Sequence, residues 1–430
     1  MTTQELHQRF LDSSGVSTDT RSIGHGQMFF ALKGDNFNGN LYADIALKSG
    51  AICAVIDEET ETYNSAYILV KDVLKTLQEL ANYHRHFCKA KIIGITGSNG
   101  KTTTKELLYS VMSTTYHTQA TVGNLNNHIG VPLTLLKLST DTEIAIIEMG
   151  ANQPGDIQEL CDIAEPDFGY ITNIGEAHLE GLESLQGVYE TKTALFRSIV
   201  QYGTTCFVNQ YDEYLVKSEI PEEKLIYLED CIKLLDSSSA FLKVKYNDNI
   251  VQTQLTGDYN IDNVRAAITI GANLEVGEKD IISGLESYQP TNQRSQIIQY
   301  DQYRIILDAY NANPTSMKAS LKNAVHQSNK DEYCIAIIGD MLELGDYSQS
   351  RHVEVISYAI DLGFDEIVLV GSLMAQAYAS LASTLKNLDI SITAYRSIED
   401  AKVYYTDMDK QGSLILFKAS RGIQLERLLD

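Results

Sequence analysis

One stretch limits the fold more than any other. The run KIIGIT (91–96) is followed directly by the turn GSNG and then by KTTTKELLYSVM. A short, nearly all-apolar run rich in isoleucine suits a strand buried on both faces of a parallel sheet. In the turn, glycines let successive N–H groups and the start of the next helix face an anion, while Lys101 brings a point charge and Thr102 a hydroxyl for magnesium. The usual phosphate loop has four residues between its glycine and Gly-Lys. Here that first position is Ile95, and a glycine comes two residues later, so the loop is a GxxGKTT variant. A bare strand-to-helix turn needs one glycine. Gly97, Gly100, Lys101, Thr102 and Thr103 together, with Ser98 and Asn99 between them, point to nucleotide binding. That excludes all-helical and all-β folds, but not any particular phosphate acceptor.

Around this unit the chain falls into three blocks. Residues 1–86 carry short strand-like runs (MFFAL at 28–32, AICAVI at 51–56, AYILV at 66–70) between Gly/Asn-rich turns, as in a small α/β domain. Residues 87–295 alternate strand candidates at 91–96, 143–150, 168–175 and 205–209 with helical stretches at 155–164 and 184–200. Residues 296–430 repeat the alternation at 303–310, 334–340, 366–371, 391–396 and 413–420, with helices after Pro314 and near 350–361. Alternation of this kind predicts parallel sheets covered on both faces. At about 150 residues per domain, 430 residues also make about three. SYQPTNQRS, near 286–300, interrupts the periodicity and reads as a hinge.

The chain holds 34 Lys+Arg against 57 Asp+Glu, a net charge of −23. Such a surface repels nucleic-acid phosphates and anionic lipid, so an anionic ligand needs a local positive site. No apolar run approaches the roughly 18 residues that span a bilayer, and the first residues lack a signal pattern, so the chain is expected to be cytoplasmic. The six cysteines are scattered without CxxC pairs or histidine clusters and read as buried small hydrophobes, not zinc ligands or disulfides.

Beyond the loop, TVGNLNNHIGVPLTLL (121–136), EMGANQPGDI (148–157), ITNIGEAHLEG (171–181), DAYNANP (308–314) and GDMLELG (339–345) follow in order. With ITGSNGKTTTKE they closely resemble the Mur ligases of peptidoglycan synthesis, in particular the dipeptide-adding branch. The resemblance spans nearly the whole chain and accounts for the variant loop. It implies an N-terminal α/β domain for the UDP end of a muramoyl peptide, a central P-loop-type ATPase domain, and a C-terminal Rossmann-like domain that closes over the site. The implied reaction is ATP-dependent: the tripeptide carboxylate becomes an acyl phosphate, and the amine of D-alanyl-D-alanine displaces phosphate.

The resemblance also implies roles. Lys101 neutralises phosphate charge, with Thr102 on the first magnesium and Thr103 supporting either. Glu148 ends an apolar strand at the edge where open sheets place ligands, against the alternative of a solvated strand-end carboxylate. His178 is matched to a second metal, against the alternative of a structural hydrogen-bonder, with Glu176 as a nearby carboxylate. Lys192 matches a lysine carried as a carbamate. A free ammonium would be repelled by magnesium, and deprotonation from about 10.4 at pH 7 costs on the order of 4–5 kcal/mol. The alternative is an exposed helix lysine. Thr121, Asn124, Asn126 and Asn127 are expected to meet the muramoyl peptide, or else to form a turn. Asn260 and Asn263 match adenine contacts, with Tyr259 standing where many relatives carry histidine. Asp308 is expected at the ribose and Arg294 at phosphate on closure, or both in a domain-domain salt bridge. Ser17, Asp19 and Arg21 are candidate uridine contacts, or Asp19 and Arg21 only pair with each other. GDMLELG and KASRG are the segments that would position the dipeptide.

Three other readings compete. The ligase adding the third residue would carry a DNPR segment, which is absent. Folylpolyglutamate synthase lacks the GNLNN-type loop. A noncatalytic ATP-binding switch has no use for Glu148, His178 and Lys192 together.

Overall fold

The computed structural model describes residues 1–59, 64–235, 241–290, 293–381 and 390–429. Its centre is a six-stranded, all-parallel sheet in which Lys91–Thr96 lies between Phe168–Ile171 and Ile144–Glu148. Thr205–Val208 and Leu225–Tyr227 extend one side, and Thr118–Ala120 the other. The two-residue period of the strands divides their side chains between two cores. Ile92 and Ile147 join one, packed under helices Val73–Cys88, Asp156–Ala164 and Ala194–Gln201; Ile93, Ile95 and Ile146 join the other, under Lys101–Met112 and Ile261–Asn273. Both faces are therefore covered, as the unbroken apolar strand requires.

Paired glycines set how close one helix lies. Gly94 and Gly169 are register partners; a Cβ at Gly169 would sit 2.8 Å from Ile199, and one at Gly94 3.0 Å from Leu195. Helix Ala194–Gln201 can thus lie against the sheet, and it fixes the end of the preceding helix Leu185–Lys192. The expected single helix over 184–200 is in fact these two, joined at Thr193.

The N-terminal sheet runs Val16–Ser17, Met28–Phe30, Cys53–Ile56, Tyr67–Leu69, all parallel. The C-terminal sheet orders Arg304–Asp308, Ser413–Lys418, Tyr333–Gly339, Glu366–Val370 and Ser391–Tyr395 in parallel, with Gln296–Gln299 antiparallel at one edge. That edge strand, Thr118–Ala120, and a small antiparallel sheet (Lys233–Leu234, Lys243–Tyr246, Asn249–Gln252) are absent from the sequence reading. All are short or polar, so their apolar period is weak. Two residues of the expected hinge, 291 and 292, lie outside the described residues, and both Gln293 and Ser295 beside it have left-handed backbone (φ 58 and 51). The cysteine expectation needs one correction: Cys231 is exposed, whereas Cys53, Cys88, Cys161, Cys206 and Cys334 are buried. It sits in a turn whose core positions are taken by its neighbours Leu228 and Ile232, so its own side chain faces out.

Candidate active site at the strand ends of the central sheet

The phosphate loop is held from behind by the neighbouring strand end. Gly97 (φ 144) lies so close to Thr172 that a Cβ there would fall 1.8 Å from its Oγ1, and Gly100 (φ 79) turns the chain into helix Lys101–Met112. The Ser98 hydroxyl donates to Gly175 O and accepts from Gly175 N, both at 2.9 Å. Asn99 N donates to Asn173 Oδ1, and Asn99 O accepts from Thr172 Oγ1 and Asn173 Nδ2. These two side-chain positions thus brace the loop. Lys101 curls back, its Nζ 2.6 Å from Gly97 O, and burial pulls its ammonium below the usual lysine value.

Glu148 joins two expected segments. Its Oε2 accepts from Thr102 Oγ1 and its Oε1 from Asn126 Nδ2, each at 2.9 Å, while its own N–H donates to Thr121 Oγ1. The carboxylate is only 2% exposed, so it is not a solvated strand end. Of the asparagine loop, Asn124 is exposed and Asn127 caps helix Gly130–Leu135, accepting from Ile129 N and Gly130 N. Its Oδ1 is thus held in a local turn, which its Asn-rich sequence allows, while the side chain stays exposed.

Lys192 is completely buried, and its Nζ has no hydrogen-bond partner. Burial first, and the Lys101 charge second, push it well below the ordinary lysine value. The exposed-lysine alternative is thereby corrected: the helix turns this side chain inward.

His178 has left-handed backbone (φ 54) and begins the short helix Leu179–Leu182. Its Nδ1 lies 2.5 Å from Glu343 Oε2 of GDMLELG, off the line of a well-formed hydrogen bond. The contact holds the Glu343 carboxyl below its usual value. Beside it, Glu176 pairs with Arg351, which also reaches Glu354 at 2.7 Å.

On the nucleoside side, Asn263 accepts from Thr104 Oγ1 and donates to Asn260 Oδ1, and Asn260 donates to Thr256 O. Tyr259 OH lies 2.6 Å from Ser295 Oγ, tying this segment to the hinge. Asp308 is engaged within its own sheet by Lys418, 2.8 Å away on the adjacent strand, and by the Ser320 hydroxyl. The expected domain-domain pair with Arg294 is not formed; Arg294 stacks over Tyr310 at 3.8 Å, and its buried Nε lacks a partner. Both groups fall short of that pair because nearer neighbours take them. In the N-terminal unit, Asp19 and Arg21 pair at 2.6 Å, which lowers Asp19 to about 2, and Ser17 Oγ donates to Asp19 O. None of the three contacts the phosphate-loop network.

Several residues here escape the sequence reading. Lys105, 1% exposed, donates to Thr121 O at 2.6 Å; its signal was a charge on the apolar stripe of Leu108 and Met112. Asn313 Nδ2 donates to Asn99 Oδ1 across the cleft. The link from Arg351 to Glu176 carried no local signal, because the two lie 175 positions apart.

The donor set suits a hard cation in part. A threonine hydroxyl and a carboxylate sit side by side at the loop, the pairing magnesium takes with phosphate oxygens and water. Among the described residues no three His, Cys, Asp or Glu side chains converge as a metal centre, so a second position needs a further oxygen. The orphaned amine of Lys192 is where one would be made.

Family models match in chain order. The "Mur ligase family, catalytic domain" covers residues 12–85, the "Mur ligase middle domain" 95–271, and the "Mur ligase, glutamate ligase domain" 293–421. UDP-N-acetylmuramoyl-tripeptide–D-alanyl-D-alanine ligase of Bacillus subtilis is 34% identical over 96% of this chain and 92% of its own length. The Escherichia coli enzyme of the same name is 31% identical over 99% and 95%. MurF from Acinetobacter baumannii superposes with a TM-score of 0.87 at 30% identity, covering 100% of this chain and 97% of its own. MurF ligase from Thermotoga maritima, in complex with ADP, gives 0.82 at 26%, covering 98% and 97%. By sequence, fold and the order of its motifs, this chain belongs to the Mur ligase family.

Proposed function

We propose that this chain is the ATP-dependent, ADP-forming ligase that joins D-alanyl-D-alanine to UDP-N-acetylmuramoyl-tripeptide in peptidoglycan precursor synthesis. The observation that carries it is Glu148, whose carboxylate links Thr102 of the phosphate loop to Asn126 of the asparagine loop. Nucleotide and acceptor ends of one reaction thus share a buried group. A carboxylate at pH 7 is a poor electrophile with a poor leaving group; transferring the γ-phosphoryl of ATP to it supplies the leaving group, and the dipeptide amine then expels phosphate.

In this reading Lys101, with Arg294 on closure, meets phosphate charge, while Gly97, Gly100 and Thr103 shape the loop and Ser98 and Asn99 brace it. Asn260 and Asn263 face the adenine and Asp308 the ribose, the latter by exchanging a present partner. Thr121, Asn124, Asn126 and Asn127 serve the muramoyl peptide, and Ser17, Asp19 and Arg21 the uridine end. Thr102, Glu148, His178 and Lys192 would hold magnesium, which supplies neutralisation of phosphoryl charge. Burial favours the neutral amine of Lys192, the form that attacks carbon dioxide; one proton leaves, and the resulting carbamate is an anionic oxygen ligand. The domain division 1–86, 87–295 and 296–430, a monomeric state and a cytoplasmic location belong to the same proposal. No described helix is long and apolar enough to cross a membrane.

Phosphate release measured with UDP-muramoyl tripeptide, with and without D-alanyl-D-alanine, tests the assignment. Release that requires both is expected. Release that needs neither would sink it in favour of the switch.

A further inference from the structure

The seam between the central and C-terminal sheets carries a contact that the family motifs do not explain. His178 and Glu343 each adopt left-handed backbone, φ 54 and 64, although neither is glycine. Such conformations cost about 1–3 kcal/mol and persist where surrounding structure overdetermines them. Here both serve one meeting. Glu180 N donates to Glu343 O at 3.1 Å, and Gly345 (φ 51) lies so near that a Cβ would sit 3.3 Å from Glu180 Cα. The backbones are thereby locked, and Glu343 Oε2 arrives 2.5 Å from His178 Nδ1. The imidazole is mostly buried (side chain 19% exposed), and the carboxylate is half exposed at 52%.

A carboxylate this close to one ring nitrogen favours a proton there by its charge, even where the approach is off the line of a well-formed hydrogen bond, and leaves the lone pair on the other; metal-bound histidines are routinely oriented by such partners. Here the two residues come from different sheets: Glu343 follows strand Tyr333–Gly339 of the C-terminal sheet, while His178 follows Phe168–Ile171 of the central sheet. We propose that Glu343 is a positioning residue for His178, so that the imidazole is set for a divalent cation only when the C-terminal unit is docked. The inference rests on the reading of His178 as a metal ligand. Its consequence is that docking and cation binding strengthen each other, since each selects the same arrangement.

Mn2+ titration of the full chain with ADP, followed by the EPR signal of the free ion, tests this without turnover. The variants are Glu343→Gln, Glu343→Ala, His178→Ala and, as a seam control, Arg351→Gln. Removing partners of this kind weakens metal binding about 10–100-fold. Such a loss is expected for Glu343→Ala, a smaller one for Glu343→Gln, and less than a two-fold change for Arg351→Gln. Hydrogen exchange at the Glu180 amide should quicken in Glu343→Ala. Glu343→Ala titrating like wild type would overturn the positioning role while leaving the His178 reading intact if His178→Ala still weakens binding. Equal loss in Arg351→Gln would overturn it too, by showing that any loosening of the seam suffices. His178→Ala titrating like wild type would remove the metal reading and this inference together.

Discussion

Two polar seams flank the central sheet, and they are finished to different degrees. Where helix Val73–Cys88 and the N-terminal helix Thr3–Leu11 meet the central unit, buried groups are matched. His7 Nε2 meets His84 Nδ1, His84 Nε2 meets Leu138 O, Asn82 donates to Ile163 O and Glu165, and Arg85 donates to Ala164 O and Glu165 O. At the cleft, Asn99 Nδ2, His178 Nδ1, Lys192 Nζ, Arg294 Nε and Arg351 Nε are buried without hydrogen-bond partners, and none of the first seam's side-chain atoms is. Buried polar groups are normally satisfied; Tyr170, Thr393, Tyr405 and Glu426 elsewhere also keep one unpartnered atom each, so it is the clustering at the cleft that sets the two seams apart.

Substitution at Lys192 should separate the two seams most sharply. Lys192→Met removes an amine that nothing in the protein satisfies, so unfolding stability should hold or rise. Ligase activity should fall at least about 1,000-fold, equivalent to about 4 kcal/mol of barrier. Carbon dioxide depletion should mimic the loss in wild type and bicarbonate should reverse it. Near-full activity in the variant, or indifference to bicarbonate, would place Lys192 outside the chemistry.

A smaller effect is expected at the loop. Gly100→Ala forces a Cβ to 2.6 Å from Asn263 Oδ1 at φ 79, breaking the link to Thr104, whereas Gly155→Ala, at φ 93, meets nothing within 4 Å. Both incur a left-handed backbone cost of about 1–2 kcal/mol. The loop variant should lose roughly a further 1 kcal/mol for its broken hydrogen bond, and with it ADP affinity by calorimetry. Equal stability and affinity in the two variants would mean that the loop tolerates the shift.

The structural seam should respond in the opposite sense. Arg85→Ala leaves Ala164 O and Glu165 O without their donors, so chemical denaturation should show a loss of about 2 kcal/mol, with kcat of the folded enzyme unchanged. A fall in kcat instead would mean that this seam also serves the site.

How much of this was legible in the sequence follows the same division. The strands with unbroken apolar runs, such as KIIGIT and CIAIIGD, lie where their pattern puts them, because burial on both faces leaves a strong one-dimensional signal. Phosphate-loop residues were legible for the same reason: glycine, lysine and threonine at fixed spacing have one economical use. What could not be read were partners distant in sequence. Nothing near Glu343 names His178, and nothing near Asp308 shows that Lys418, across 110 positions, would already hold it. Lys105 left one trace, a charge on an apolar stripe, but its backbone-carbonyl partner left none, so its role could not be read.

The pH dependence of the structural seam gives the smallest effect. In the chain of contacts, His84 Nε2 donates to Leu138 O, so Nδ1 must be the bare acceptor for His7 Nε2–H; only neutral His84 fits both. Burial accordingly holds both imidazoles below 6.5. A base whose folded pKa is depressed is protonated more readily in the unfolded chain, so its stability is whole above 6.5 and drains away as pH falls towards the folded value. Between pH 7.5 and 5.5 the wild type should therefore lose stability on acidification, through His84 and His7 together. His84→Leu should start less stable, since it strands His7 Nε2–H and Leu138 O, yet lose less on acidification. Urea denaturation of both proteins at the two pH values measures the difference. Equal losses would mean that the histidine pair already accommodates a proton, and that this seam, like the cleft, has room for something it does not now hold.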